Sequence, residues 1–190
     1  AALVAIEGAN LSTYGYGVKS FGLCAVEAAL TLSNGTVPSH VLEQILASVK
    51  EHLTEPVRLF DEVSHVVAQV ARHHRVIMIT KGDLVHQTRK VRTSGIDHLF
   101  HHIEIVLEKD AETYSRVLRG LGVDPQRFCM VGNSLKSDIM PVLEIGGFGV
   151  HVPFEILWDL ESTDAIPGEG DRWVELATLA ELPAWLEGQI

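Results

Sequence analysis

The stretch CMVGNSLKSDIM, residues 129–140, decides how the rest of the chain is interpreted. A short apolar run ends at Gly132, and an amide, two hydroxyls, a lysine and a carboxylate follow, the last at Asp138. An ordinary turn after a strand needs only a glycine and an asparagine. So many polar groups at the end of a buried strand predict that the turn holds something charged.

Around this stretch, segments with the pattern of strands alternate with segments with the pattern of helices. Strands are predicted at residues 76–80, 103–107, 128–132 and 148–152, and helices at residues 59–74, 83–95, 110–122 and 134–146. Apolar strands separated by helices of roughly 10–15 residues are typical of a parallel sheet that is buried on both faces. The sequence therefore predicts an α/β fold with a Rossmann-like parallel sheet.

Composition changes near Pro56, because the segments before it have only helical periodicity. Helices are predicted at residues 18–35, which end at an Asn-Gly pair, and at residues 37–53, where Pro38 suits a first turn. We therefore predict a small α-helical domain over residues 1–56 and an α/β core over residues 57–190. Near the end of the chain, residues 166–173 are predicted as a loop and residues 178–188 as a helix.

Charge and composition exclude several classes of protein. Lys and Arg number 15 against 25 Asp and Glu, a formal net charge of −10, which argues against a general nucleic-acid binder. No apolar run approaches the ~20 residues of a membrane span, and no signal peptide is visible, so a cytoplasmic protein is expected. The two cysteines cannot form a disulfide framework. Three histidines have helix-face spacing suited to zinc but lack a fourth ligand: His98, His101 and His102.

Polar residues follow three of the predicted strands. Thr80, Lys81 and Gly82 end the first strand, Lys109 follows the second, and Asn133 and Asp138 follow the third. The carboxyl ends of parallel strands meet at one edge of a sheet, where ligands bind. A hydroxyl and helix N-terminal N–H groups suit phosphate oxygens, a lysine suits developing negative charge, and amide and carboxylate oxygens suit Mg²⁺. Asp83 and Asp110 are interpreted as N-caps, and each polar residue taken alone also fits an ordinary strand end or solvated surface.

The series VIMITKGD, LEKD and VGNSLKSD (residues 76–83, 107–110 and 131–138) resembles the second, third and fourth motifs of the haloacid dehalogenase superfamily of hydrolases. The helices before Pro56 resemble the cap that such enzymes insert after their first motif. The resemblance implies Thr80 and Lys109 as catalytic residues that bind phosphate, together with Lys81 and Gly82. It also implies Asn133 and Asp138 as the Mg²⁺ ligands, although many relatives have Asp at the position of Asn133.

The first motif of that superfamily, Asp-x-Asp-x-Thr at the end of the central strand, is absent from these residues. The chain starts abruptly at AALVAIEGAN, so we expect the segment with the nucleophile to precede these residues. Strands 76–80 and 128–132 should then not pair with each other, and a strand from outside these residues should lie between them, because buried backbone groups need partners.

The function that the resemblance implies is a Mg²⁺-dependent phosphatase that acts on a small phosphorylated metabolite through an aspartyl-phosphate intermediate. No nucleic-acid or membrane partner is expected, and the oligomeric state is left open. Two alternatives stay open, a dehalogenase-type hydrolase and a non-catalytic binding protein on the same fold.

Overall fold

The structure is a computed structural model that describes residues 2–156, 158–168, 170 and 172–188. Its helices are α1 (Ala2–Tyr14), α2 (Val18–Leu32), α3 (Ser39–Thr54), α4 (Val63–Val70), α5 (Leu84–Thr93), α6 (Ala111–Leu121), α7 (Met140–Glu144) and α8 (Leu182–Glu187). Its strands are β1 (Ile77–Lys81), β2 (His102–Val106), β3 (Cys129–Gly132), β4 (Phe148–His151) and β5 (Trp173–Glu175). None of the helices in the described ranges is long and apolar enough to cross a membrane.

The strands form two parallel sheets, which confirms the predicted α/β class. β1 pairs with β2 from Ile77↔His102 to Lys81↔Val106. β4 lies between β3 and β5 in the second sheet. β5 was not predicted, because Trp173 fell at the end of a predicted loop and a strand of three residues is too short to show alternation.

β1 and β3 are not hydrogen-bonded to each other anywhere in the described residues, as predicted. A groove of about 780 Å³ lies between them, lined by apolar side chains of both strands and of α4 and α8. The backbone edges of β1 and β3 along this groove have no strand partner in the described part of the chain. That a strand from outside these residues fills the groove stays a prediction.

α6 packs the main hydrophobic core against both sheets. Tyr114 and Leu118 are fully buried, and they cluster with apolar residues of β1, β2, β3 and α7. The helix begins where Asp110 accepts a hydrogen bond from the Thr113 N–H at 2.7 Å, and it ends at Gly122, whose φ of 66° is left-handed. Asp83 caps α5 in the same way, by accepting from the His86 N–H at 2.8 Å. Both predicted N-caps are therefore confirmed.

The predicted helix over residues 134–146 has two parts. A π-helical turn spans Leu135–Ile139, and α7 follows it with Pro141 in its first turn. Proline has no N–H, so the Ser137 carbonyl, four residues earlier, receives no helical hydrogen bond from it. That carbonyl instead accepts a hydrogen bond from the Tyr114 hydroxyl at 3.0 Å. The predicted helix over residues 59–74 is also shorter, and only Val63–Val70 is α-helical.

The three helices before residue 56 form a layer, the α1–α3 layer, in which α2 contacts both α1 and α3. Small buried residues of α2, among them Gly22 and Cys24, allow its neighbours to approach closely. A Cβ atom added at Gly22 would lie 2.5 Å from Val49 Cγ2 of α3. The predicted boundary at residue 56 falls in the connection between α3 and α4.

Replacing Gly22 by alanine should therefore destabilise the protein by about 1–3 kcal/mol, because the new methyl group forces α2 and α3 apart. The measurement is thermal or urea unfolding followed by circular dichroism. Gly120→Ala is the matched control, since Gly120 lies on an exposed position of α6 with no atom within 4 Å of an added Cβ. It should stabilise the protein by about 0.5–1 kcal/mol. Equal effects of the two substitutions would contradict this account of the α2–α3 contact.

Candidate active site

A cavity of about 810 Å³ lies between the α1–α3 layer and the carboxyl ends of β1 and β3. Five of the residues singled out in the sequence line it: Thr80, Lys81, Lys109, Asn133 and Asp138. The predicted convergence of the strand ends on one cavity is therefore present, while the chemical roles of these residues stay predictions. The opposite wall is formed mainly by apolar side chains of α2 and α3: Val18, Phe21, Ala25, Ile45 and Val49.

Gly82 does not line the cavity. Its φ of 137° bends the chain from β1 into α5, and a Cβ there would lie 2.8 Å from Gln87 Nε2. The same amide nitrogen donates a hydrogen bond to the Lys81 carbonyl at 3.0 Å. Gly82 thus shapes the turn after β1, and its predicted contact with phosphate stays a prediction.

Lys109 and Asp138 form an ion pair beside the cavity. The distance from Lys109 Nζ to Asp138 Oδ1 is 2.7 Å, and Asp138 Oδ2 accepts a hydrogen bond from the Ser134 N–H at 3.1 Å. Both side chains are largely buried, so their attraction is screened less than it would be at the surface. The turn after β3 therefore fixes the position of the ammonium group that follows β2.

Gly132 makes this arrangement possible. A Cβ atom at residue 132 would lie 2.2 Å from Asp138 Oδ2, closer than any non-bonded contact allows. The carboxylate of Asp138 thus lies directly over the backbone where β3 ends. Residue 132 must therefore be a glycine, because the Asp138 carboxylate fills the space that a side chain at residue 132 would need.

Lys81 is held by two carboxylates and a hydroxyl. Its Nζ lies 2.5 Å from Glu161 Oε1 and 3.1 Å from Glu108 Oε1, and it donates to Ser137 Oγ at 2.8 Å. The Glu161 carboxylate in turn accepts from two serine hydroxyls of the turn after β3, Ser134 at 2.8 Å and Ser137 at 2.5 Å. The ammonium group of Lys81 is therefore already paired. To bind phosphate, as predicted, it would have to give up at least one of these partners.

Tyr16 links the α1–α3 layer to this network. Its hydroxyl donates to Glu108 Oε2 at 2.5 Å, and the Lys81 ammonium lies 4.0 Å from its ring centroid, within the range of a cation–π interaction. Trp158 packs edge-on against the same ring, with centroids 5.9 Å apart. Trp158 thus packs against the aromatic ring of Tyr16 and also lines the cavity.

This network raises the pKa of its tyrosine and lowers the pKa values of its two carboxyl groups. Burial and the hydrogen bond to Glu108 raise the pKa of Tyr16 to about 12. For Glu161, burial favours the neutral acid, but the contacts with Lys81, Ser137 and Ser134 outweigh it and hold the pKa below its usual value. The pKa of Glu108 is lowered in the same way, because its hydrogen bonds from Tyr16, the Lys109 N–H and Lys81 outweigh burial. Both carboxylates are therefore ionised at neutral pH.

Thr80 and Asn133 have side chains available to a ligand. Neither the Thr80 hydroxyl nor the Asn133 amide makes a side-chain hydrogen bond to any residue that the structure describes, and both line the cavity. The backbone of Asn133 is fixed, since its carbonyl contacts His151 Nε2 at 3.2 Å. His151 also contacts Glu175 through Nδ1 at 2.8 Å.

The donor set suits a hard cation that keeps several other ligands. Asp138 and Asn133 present carboxylate and amide oxygens, and Mg²⁺ commonly takes one or two protein ligands and completes its shell with water and substrate oxygens. Across the described ranges, no group of three or more His, Cys, Asp or Glu is placed to hold a metal by itself. This includes the histidines considered for zinc, of which His101 accepts from the Val76 N–H at 3.1 Å and His102 contacts Glu104.

Three residues of the network were given no role by the sequence analysis. Glu161 lies in a short 3₁₀ helix, Asp159–Glu161, in a segment with no periodicity, so no pattern marked it. Glu108 lies within the LEKD stretch at residues 107–110, but a glutamate beside Lys109 also fits a solvated surface, so no pattern marked it. Tyr16 had one usable signal, the glycines on both sides of it, whose φ angles of 70° and 111° turn the chain between α1 and α2.

Comparison with known proteins agrees with this geometry. A family model described as a hydrolase, haloacid dehalogenase-like hydrolase, matches residues 19–146, more than half of the chain. The crystal structure of a haloacid dehalogenase-like family hydrolase from Xanthomonas campestris is 36% identical. It superposes with a TM-score of 0.87 and covers 98% of this chain and 74% of that one.

Two further relatives carry names of activities. Glyceraldehyde 3-phosphate phosphatase of Methanothermobacter thermautotrophicus is 24% identical over 159 residues, 81% of this chain; this chain spans 66% of that relative's length, just under two thirds. An L-2-haloacid dehalogenase from Xanthobacter autotrophicus, solved with chloropropionic acid covalently bound, is 15% identical with a TM-score of 0.69. The superposition covers 100% of this chain and 84% of the dehalogenase chain, and at this identity the similarity shows the fold alone.

Glu161→Gln should lower stability at neutral pH by about 2 kcal/mol, because Lys81 loses a charged partner. Glu161 has a lowered pKa in the folded state, so its contribution is complete above the unfolded value of 4.5 and is lost as the pH falls through the folded value. The difference between wild type and variant should therefore shrink below about pH 4.5. Urea unfolding between pH 3 and pH 8 measures this effect.

Glu144→Gln is the control for that measurement. Glu144 is exposed on α7 and has no ion pair in the described part of the chain, so the substitution should change stability by less than about 0.5 kcal/mol at any pH. A Glu161→Gln effect that is equally small, or that does not depend on pH, would contradict the assigned network.

Proposed function

We propose that this chain, which belongs to the haloacid dehalogenase-like hydrolases, is the greater part of a Mg²⁺-dependent phosphatase that hydrolyses a small phosphate monoester. The observation that carries the proposal is the set of groups around one cavity at the strand ends. This set includes a free hydroxyl at Thr80, the Lys109–Asp138 ion pair and the free amide of Asn133. The 24% identity with a phosphatase supports it.

The groove between β1 and β3 is where we propose that the attacking carboxylate is held. Both strands end at the cavity, so a parallel strand laid between them would bring its own carboxyl end to the same place. It would also pair the open backbone edges of β1 and β3. A strand of this kind, with an aspartate at its end, is the first motif that the family resemblance predicts.

The proposed reaction has two steps. In the first, the aspartate oxygen attacks phosphorus, and the bond from phosphorus to the ester oxygen breaks. A second aspartate, two residues further on, gives the leaving alcohol its proton. In the second step a water molecule attacks phosphorus, loses its proton to that second aspartate, and releases phosphate with the first carboxylate restored. Thr80 would orient the phosphate oxygens, and Lys109 would stabilise the charge that develops on them.

The charge of the cavity favours a bound cation. The lining contains two lysines and three carboxylates: Lys81, Lys109, Glu7, Asp138 and Glu161. A phosphate dianion would thus enter a site with a formal excess of one negative charge, where repulsion is strong because the surroundings are partly desolvated. Mg²⁺ at Asp138 and Asn133 would reverse the sign of the site and neutralise charge on the phosphate oxygens.

Carbon–halogen hydrolysis is the competing reaction. The similarity to the Xanthobacter dehalogenase shows a common fold at 15% identity and supports no choice of substrate. A halogenated acid carries one negative charge and needs no metal, so it would leave the carboxylate excess uncompensated. Activity that persists in EDTA and extends to halogenated acids would favour this alternative, and no turnover of either class would favour a non-catalytic binding protein.

Lys109→Ala should reduce kcat for phosphate esters by roughly 10²-fold, because one well-placed charge that stabilises the transition state is lost. Asp138→Ala should also reduce activity strongly, but excess Mg²⁺ should restore part of it, and in that variant only. Steady-state kinetics of the full-length protein across a Mg²⁺ titration provide the measurement.

The double variant separates the two roles open to Asp138. If Asp138 acts only by holding Lys109 at 2.7 Å, Lys109→Ala/Asp138→Ala should equal Lys109→Ala alone, and metal should rescue neither. If Asp138 also binds Mg²⁺, the double variant should be slower than either single variant. Complete indifference of every variant to EDTA would overturn the metal-dependent phosphatase.

Asn133→Asp tests the amide in the turn after β3. A carboxylate binds Mg²⁺ more strongly than an amide, so the variant should be activated at a lower Mg²⁺ concentration if residue 133 is a direct ligand. The readout is the Mg²⁺ concentration that gives half-maximal activity, supported by calorimetric Mg²⁺ binding without substrate. Weaker binding by this variant would show that residue 133 does not contact the ion.

A further inference from the structure

The wall of the cavity formed by the α1–α3 layer contains one carboxylate that the proposed reaction does not use. Glu7, on α1, is only 8% exposed and lines the cavity. Among the residues that the structure describes, none forms a hydrogen bond or an ion pair with its side chain. It differs in this from the other carboxylates in the lining, since Asp138 is paired with Lys109 and Glu161 with Lys81.

The burial of Glu7 makes a missing partner costly. The α2 and α3 side chains that line the cavity are mainly apolar, and none of them is a lysine or an arginine: Val18, Phe21, Ala25, Ile45, Ser48, Val49 and His52. A carboxylate removed from water into such surroundings without a counter-charge is destabilising, and buried charges in proteins are normally paired. A group that enters the cavity is therefore the natural partner of Glu7.

We infer that the substrate is a phosphate monoester of an alkyl amino alcohol, with its ammonium group paired to Glu7 and its carbon chain against the apolar wall. This inference rests on the proposed phosphatase and names its substrate class. A phosphate at one end and an ammonium at the other match a cavity with Thr80 and Lys109 at the strand ends and a lone carboxylate on α1. A carboxylate-ended ester would place two negative charges together, and a plain alkyl ester would leave Glu7 unpaired.

Matched phosphate esters test this directly. The full-length protein is assayed with ethyl, butyl and hexyl phosphates that end in a methyl, an ammonium or a carboxylate group. At one chain length at least, kcat/KM for the ammonium-ended ester should exceed that for the methyl-ended ester by roughly tenfold or more, and the carboxylate-ended ester should be the poorest. Equal rates for ammonium-ended and methyl-ended esters at every length would overturn the inference while leaving the phosphatase intact.

Glu7→Gln isolates the charge, because the amide has the same shape. The ammonium-to-methyl ratio of kcat/KM should fall towards one in this variant. Glu43→Gln is the control, since Glu43 is exposed on α3 and does not line the cavity, and it should keep the wild-type ratio. An unchanged ratio in Glu7→Gln would also overturn the inference.

A binding measurement keeps the inference testable if the protein hydrolyses no phosphate ester at all, an outcome that would overturn the proposed function alone. Butylamine should then still bind to the wild type in calorimetry, and Glu7→Gln should weaken that binding at least fivefold. Butanol serves as the uncharged probe and should bind both proteins equally. Butylamine binding that is the same in wild type and variant would overturn the assignment of Glu7.

Discussion

The ammonium group of Lys81 is the point at which the separate parts of the site are joined. Glu161 comes from the segment after β4, Glu108 follows β2, Ser137 belongs to the turn after β3, and the Tyr16 ring comes from the α1–α3 layer. A hydrogen bond to a charged group contributes about 1.5–3 kcal/mol, whereas an exposed ion pair contributes less than about 1 kcal/mol. Four segments that are distant in sequence are therefore held to a common geometry by one charge, and the cavity takes its shape from them.

A second constraint acts at the end of β3. Gly132 lets the Asp138 carboxylate lie over the backbone. Pro141 has no N–H, so the Ser137 carbonyl is free to accept a hydrogen bond from the Tyr114 hydroxyl. The turn between Gly132 and Pro141 is π-helical. Together these features accompany a turn that places Asp138 Oδ1 2.7 Å from Lys109 Nζ. An irregular turn of this kind is held by its surroundings, and it is typical of sites where side chains must point at a ligand.

The sequence predicted the parts of the fold that local chemistry determines. Four of the five strands, the two N-caps and the placement of Thr80 and Asn133 along one cavity follow from apolar runs, from Asp at helix starts and from the geometry of parallel strands. It could not predict which polar residues pair with one another. Lys81 was expected to contact phosphate, but Glu161, 80 residues further on, contacts it, and the intervening chain has no pattern that indicates their approach. Contacts of this kind depend on packing between elements, which periodicity does not record.

The distribution of charge explains why the strand ends alone do not define the site. Lys81 and Lys109 are both neutralised by neighbours, so the protein as described offers a phosphate no free positive side chain among the cavity lining. In the proposed function, affinity for an anion would come from backbone N–H groups, from the Thr80 hydroxyl and from a cation brought to Asp138 and Asn133. Lys81 holds the Glu161 and Glu108 carboxylates in position, whereas Lys109, paired with Asp138, is the lysine proposed to stabilise the charge that develops on the phosphate. Glu7 is a buried carboxylate in the α1–α3 layer wall of the same cavity, and the proposed substrate, with charges of opposite sign at its two ends, would complement both this carboxylate and the strand ends.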